Sequence, residues 1–123
     1  MRKRLRKLHA RLLREAPEFE VLDEPTRHAV RKRLKRLRYL SELAEPLFPA
    51  REIEAFVGEL KSLQDALGRY QDEVVARELF REHAAQDPAA WFAVGWLTGR
   101  ETMLAKQCAK ACRRAAKARV FWN

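Results

Sequence analysis

An all-α fold, a four-helix antiparallel bundle, is predicted for this 123-residue chain by three features. Apolar residues recur at spacings of three and four along nearly its whole length. Ala, Leu, Glu, Lys and Arg, all good helix formers, abound, while 4 Gly and 5 Pro are few for a turn-rich sheet. The prolines stand where the periodic stretches end or begin. The length has room for one domain, 1–123, and no linker, internal repeat or low-complexity run divides it.

The first helix runs from Arg2 to Ala16. Leu5, Leu8, Leu12 and Ala16 form its apolar stripe, Pro17 stops it, and His9 sits at the edge of the stripe. Arg2, Lys3, Arg6, Lys7 and Arg14 fall beside or opposite the stripe as a basic face. The second helix takes Asp23 as N-cap and Pro25 in its first turn, and continues to about Glu45, before Pro46 and Pro49. Val30, Leu34, Leu37, Ser41 and Ala44 point inward on it.

A third helical stretch starts near Ala50, with Ile53, Phe56, Val57, Leu60, Leu63 and Leu67 as its apolar series, and carries on through Val74, Val75, Leu79 and Phe80. Gly68 is expected either to bend it or to divide it in two, the bend being the favoured reading. Asp87 and Pro88 give the start signal of the last helix, whose inward series is Trp91, Val94, Leu97, Leu104, Cys108, Ala111 and Ala115. Short Pro-containing turns between the helices make neighbours antiparallel. A three-helix unit that needs a partner is the alternative.

Charge narrows the function. The formal net charge is +9, which concentrates anionic partners. Residues 1–49 hold 14 basic and 7 acidic side chains, residues 50–87 hold 5 and 9, and residues 88–123 hold 7 and 1. The basic excess thus lies in the first and last parts of the chain. No window reaches the roughly 18 apolar residues of a membrane span, and no signal-peptide apolar region follows the basic N-terminus, so a soluble cytoplasmic protein is expected. Cys108 and Cys112, alone and four apart, read as reduced thiols rather than a metal set. No metal and no cofactor is expected.

On the second helix His28, Arg31, Lys32, Lys35, Arg38, Tyr39 and Glu42 lie within an arc of about 120°, opposite the apolar stripe. From His28 to Arg38 the row is roughly 15 Å long, enough for a chain of phosphates. Like charges on neighbouring turns oppose folding by a few tenths of a kcal/mol per pair, about what a counter-anion would remove. Arg presents forked donors, Lys a mobile point charge and His a donor of either charge, a mixture suited to a flexible polyanion. The alternative is a plain solvated face.

The run His28-x-x-Arg31-Lys32-x-x-Lys35-x-Leu37-Arg38-Tyr39-x-x-Glu42, followed by Leu60-Lys61-x-Leu63-Gln64-Asp65-x-Leu67-Gly68-x-x-x-Asp72, closely resembles the CHAD family, the conserved-histidine α-helical domains. The closing Val120-Phe121-Trp122 also resembles that family's last helix end, so the resemblance reaches from about Arg2 to Trp122. It implies a helical bundle that binds inorganic polyphosphate on a basic surface, often on polyphosphate granules, without catalysis.

The matching ligand-facing positions are His28, Arg31, Lys32, Lys35, Arg38 and Tyr39, with Lys61 and the first-helix residues Arg2, Arg6 and Lys7 as additions. Gln64, Gly68 and Asp72 match as structural residues. The family's domain usually has two similar helical halves, and this chain resembles one, the second; pairing of two copies as a homodimer, or with another half-domain, is the expectation.

Two other functions compete. A nonspecific nucleic-acid binder would use the same basic face, but few aromatic residues interleave with it and no helix-turn-helix or RNA-binding signature is present. An enzyme, or a regulatory subunit of a phosphate-processing enzyme, would call for acidic Mg²⁺ ligands or a glycine-rich cradle; Gly58, Gly68, Gly95 and Gly99 do not make one.

Overall fold

The computed structural model describes all of residues 1–123 and contains four α-helices and no strand. α1 spans Arg2–Glu15, α2 Glu24–Leu43, α3 Ala50–His83 and α4 Ala90–Ala116. A 3₁₀ segment, Ala16–Val21, links α1 to α2, and a shorter one, Glu45–Leu47, leads towards α3.

The links between helices follow from local chemistry. Pro17 does not end the helical path but tightens it into the 3₁₀ segment, which turns Phe19 into the core. At Asp23 the carboxylate accepts from the Thr26 backbone N–H at 2.9 Å, the expected cap, with Pro25 in the first turn. α4 starts later than Asp87 and Pro88 signal. The Asp87 carboxylate instead accepts from the Ala89 N–H at 3.1 Å, closing a turn before the helix begins at Ala90.

The expected bend at Gly68 does not divide α3, which passes through it as one 34-residue helix. A Cβ at Gly68 would meet nothing within 4 Å, so no close approach demands glycine there.

Successive helices are antiparallel. Glu15 meets Arg33 between α1 and α2, Gln64 meets Arg38 and Tyr70 meets Arg27 between α2 and α3, and Arg77 meets Glu101 while Ala66 meets Cys108 between α3 and α4. Every inward residue expected on α2 is buried: Val30, Leu34, Leu37, Ala44 and Ser41, whose hydroxyl donates to the Leu37 carbonyl. The first part of α3 behaves likewise, from Ile53 to Leu67.

The second part of α3 does not. Val75, Leu79 and Phe80, expected inside, are exposed, as is Trp91 at the start of α4. The physical reason is length: α1 and α2 end before they can cover the far end of the α3–α4 hairpin, and the shared core stops at Tyr70 on α3 and Leu104 on α4.

The chain's end closes the opposite pole. Trp122 and Phe121 pack edge-on against Phe56, Phe121 also against Phe48, and His9 from α1 completes the cluster against Phe56 and Trp122 at centroid distances of 5.8 and 5.1 Å. Each such pair adds roughly 0.5–1.5 kcal/mol beyond the area it buries.

Candidate functional site

α2 carries charge on both of its flanks. Its outward face presents His28, Arg31, Lys32, Lys35 and Arg38, of which His28 and Arg38 border α3. No ion pair involves His28, Arg31, Lys32, Lys35 or Lys61. Arg38 differs from the free cation expected of it. Its Nε donates to Glu42 at 3.1 Å and its Nη1 to Gln64 Oε1 at 2.8 Å, and its guanidinium lies over the Tyr39 ring. Arg38 therefore braces α2 against α3, with its charge partly neutralised, and Gln64 has a structural role as the acceptor. Lys61 is exposed one turn before Gln64 on α3.

Arg31 is held differently. Its Nε is buried and has no hydrogen-bond partner. An unsatisfied buried donor costs about 1–3 kcal/mol, more when charged. His28, at the start of α2, is exposed and borders a hollow of about 300 Å³ with Glu24, Pro25, Tyr70, Gln71 and Val74.

The other flank of α2 faces α1. Arg4, Lys7 and Arg11 of α1 and Arg33 and Arg36 of α2 rim a groove of about 580 Å³, floored by Leu8, Leu40 and Leu43 and closed at one side by Tyr39. Arg33 pairs with Glu15, and Arg11 approaches the same carboxylate at 3.9 Å. Arg4, Lys7 and Arg36 enter no ion pair.

Of the first-helix residues expected to enlarge the α2 row, Lys7 thus joins this groove and meets Tyr39 there. Arg2 does not: it lies over the Phe48 ring, beyond the C-terminal end of α2 and far from His28. Arg6 is exposed and belongs to neither lining. Arg4, Arg11, Arg33 and Arg36 were missed, although their spacings of three and four already put each set on one helix face; what the pattern lacked was which helices are neighbours.

Beneath the α2–α3 flank lies a charged network that the sequence also hid. Arg27 donates through Nε to the Phe19 carbonyl at 2.9 Å, through Nη2 to the Glu20 carbonyl at 2.8 Å and through Nη1 to the Tyr70 hydroxyl at 2.6 Å, with Glu101 at 3.4 Å. Its guanidinium lies against both the Phe19 and Tyr70 rings, 5.1 and 5.2 Å from their centroids, and those rings pack edge-to-face on each other at 5.2 Å. Buried Arg77 binds Glu24 at 2.7 Å and also Glu101. Burial works against its charge, but these two carboxylates outweigh it and raise its pKa. Burial likewise raises Tyr70, against the hydrogen bond from Arg27. The network pins the start of α2 onto α3 and α4, and so fixes where the basic row begins.

Elsewhere the chemistry is quiet. Burial pushes the Cys108 thiol up to about 11 and the Cys112 thiol up to about 12, so both stay protonated near neutrality. No three His, Cys, Asp or Glu side chains converge as a metal set. No helix is long and apolar enough to cross a membrane.

The family model described as CHAD domain matches residues 1–81. The chain belongs to the CHAD family. The match takes in α1, α2 and most of α3, hence both flanks of the basic helix, while the Val120-Phe121-Trp122 ending lies outside it. No curated protein and no solved structure matches the chain. CHAD domains are associated with polyphosphate or phosphate-related proteins.

Proposed function

We propose that this CHAD chain is a non-catalytic module that binds inorganic polyphosphate along α2. The observation that carries the reading is the run Arg31, Lys32 and Lys35, three cations on one face with no carboxylate partner, in which the buried Arg31 Nε has no acceptor. Acidic residues nearby are already committed: Glu42 to Arg38, and Glu24 to Arg77. A phosphate chain supplies an acceptor every few ångströms, matching cations that recur every one to four residues on a rise of about 1.5 Å per residue.

Tyr39 stands between the two flanks of α2, so a longer chain runs from the Arg31 face over it to Lys7 and Arg36. His28 and Lys61 extend the first flank at its two ends. In the cell such a protein partitions onto cytoplasmic polyphosphate granules. Two copies pair as a homodimer, which covers the apolar surface that α3 and α4 leave open.

Titration calorimetry with long-chain polyphosphate at low and high salt tests the binding. The affinity is electrostatic and falls as salt rises. Replacing Arg31, Lys32 and Lys35 together by Ala lowers it by about 3- to 150-fold, since such charge contacts contribute roughly 0.2–1 kcal/mol each. Absence of binding at low salt defeats the reading. Displacement by duplex DNA at equal phosphate concentration would mean a nonspecific nucleic-acid binder, and phosphate release from polyphosphate would mean an enzyme.

A further inference from the structure

Seven of the twelve large apolar side chains that face solvent fall between residues 75 and 103. This is the stretch in which α3 and α4 outrun the rest of the molecule. With 34 residues α3 is about 51 Å long, and α2 with 20 is about 30 Å. The last tie from α2 to α3 is the Glu24–Arg77 pair. Beyond it the hairpin holds itself together by a narrow seam of Ala84, Ala90, Val94 and Leu97.

The pairs Glu73–Arg100 and Arg77–Glu101 set the hairpin's register, which places Phe80 across from Trp96. On α4, Phe92, Trp96 and Met103 follow at spacings of four and seven, one side of a helix. Phe80, Phe92, Trp96 and Met103 are 43%, 83%, 58% and 43% exposed. They form one strip along the hairpin's flank.

We propose that this strip is where two copies of the chain meet, hairpin against hairpin, about a two-fold axis running along the hairpin. The proposal rests on the pairing described above and gives it a location. Aromatic side chains carry roughly 150–250 Å² each, so the strip offers on the order of 500 Å² of apolar surface. A standard interface buries about 800 Å² per partner, and homodimer interfaces are about 65% apolar. The strip therefore supplies the apolar share of one such interface, and the flanking charges supply the rest.

Those charges fit a second copy. Next to the strip the charges balance, Arg77 and Arg81 against Glu78 and Glu82 on α3 and Arg100 against Glu101 on α4; over their whole lengths α3 holds 8 acidic against 5 Lys or Arg side chains, and α4 holds 5 Lys or Arg against 1 acidic, with Lys106, Lys110, Arg113 and Arg114 continuing beyond Met103. The proposed axis lays the acidic helix of each copy over the basic helix of the other, which favours this docking over like against like. A membrane fits less well, because at the hairpin's tip Glu78 is paired with Arg77 and Arg81 while Glu82 and Asp87 enter no ion pair and repel anionic lipid.

Size-exclusion chromatography with light scattering on the full chain at micromolar concentration decides. The expected result is a dimer that Phe92→Glu and Trp96→Glu each turn into a monomer, raising the dissociation constant about 100-fold or more, as loss of a central aromatic does. Leu47→Glu, at an equally exposed position at the other pole, leaves the dimer intact. Circular dichroism shows whether each variant is folded, and Phe92 is so exposed that its replacement does not touch the core.

A dimer that survives both hairpin variants overturns this location but leaves pairing standing. A monomeric wild type overturns both, and polyphosphate calorimetry is unaffected by either result. A monomer that sediments with phosphatidylglycerol vesicles, and loses this with Phe92→Glu, makes a membrane the occupant and also overturns the proposal.

Discussion

Arg38 and Gln64 tie α2 to α3: the Arg38 Nη1 donates to Gln64 Oε1 at 2.8 Å while its Nε holds Glu42 at 3.1 Å. One guanidinium thus serves an acceptor on each helix, and only a planar fork does both at once. Arg38→Lys keeps the charge and loses the brace. It is expected to destabilise the fold by about 1–2 kcal/mol, seen as a lower urea midpoint, while polyphosphate affinity changes far less than in the Arg31, Lys32, Lys35 triple variant. An equal loss of affinity would make Arg38 a ligand contact after all.

That distinction marks how far the sequence was legible. Helical spacing located the α2 face, because a single helix fixes its own angular order. It also located the core of α2, where residues such as Leu34 and Leu37 are fully buried. It did not separate a cation that meets a ligand from one that meets a neighbour, since Gln64 lies 26 residues from Arg38.

The same limit hid the groove rimmed by Arg4 and Arg36, and the Arg27 network, whose partners span the Ala16–Val21 3₁₀ segment, α3 and α4 at once. It misplaced Phe80 and Trp91 for a different reason. Periodicity reports which face is apolar, not whether a neighbouring helix is long enough to cover it.

The α1–α2 groove makes a separate prediction. Arg4 and Arg36 enter no ion pair and are exposed, so replacing both by Ala leaves thermal stability within about 0.5 kcal/mol. If the polyphosphate chain crosses Tyr39 into the groove, the double variant weakens binding of long chains about 2- to 30-fold, from two exposed contacts of roughly 0.2–1 kcal/mol each. Short chains that fill only the Arg31 face are unaffected. Calorimetry with two chain lengths reads the difference, and equal weakening of both removes the groove from the path.

Arg27 is expected to matter most for folding. Arg27→Met fills similar space but leaves the Phe19 and Glu20 carbonyls and the Tyr70 hydroxyl without their donor, and Glu101 with one cation fewer. Removing one partner from a fully buried charged pair costs about 3–5 kcal/mol; this network is part-buried and Glu101 keeps Arg77, so the loss falls below that range. Equilibrium unfolding in urea measures it. A loss below 1 kcal/mol would show that the network forms without contributing to stability.

At Gly68 the opposite sign is expected. It lies inside α3 with open space where a Cβ would go. Gly68→Ala removes backbone freedom from the unfolded chain and adds no clash, a gain of about 0.4–1 kcal/mol. A higher melting temperature confirms that α3 is a plain continuous helix here, and a lower one shows that the position needs glycine for a contact made in the assembled protein.

His9 gives the fold a pH dependence whose sign is fixed by burial. Packed against Phe56 and Trp122, the ring is held below its ordinary pKa of 6.5 because burial disfavours its charged form. Well above pH 6.5 both the folded and the unfolded chain carry it neutral, and it contributes no pH dependence. Below that, the unfolded chain takes up a proton that the folded chain refuses, so the unfolded state binds more protons and stability falls as pH drops. Urea midpoints measured from pH 7.5 down to about 5.5, a range above the ordinary carboxylate pKa values, are expected to decline. His9→Leu should flatten that part of the curve while leaving the cluster packed. A decline of the same slope in His9→Leu would place the proton uptake on another group.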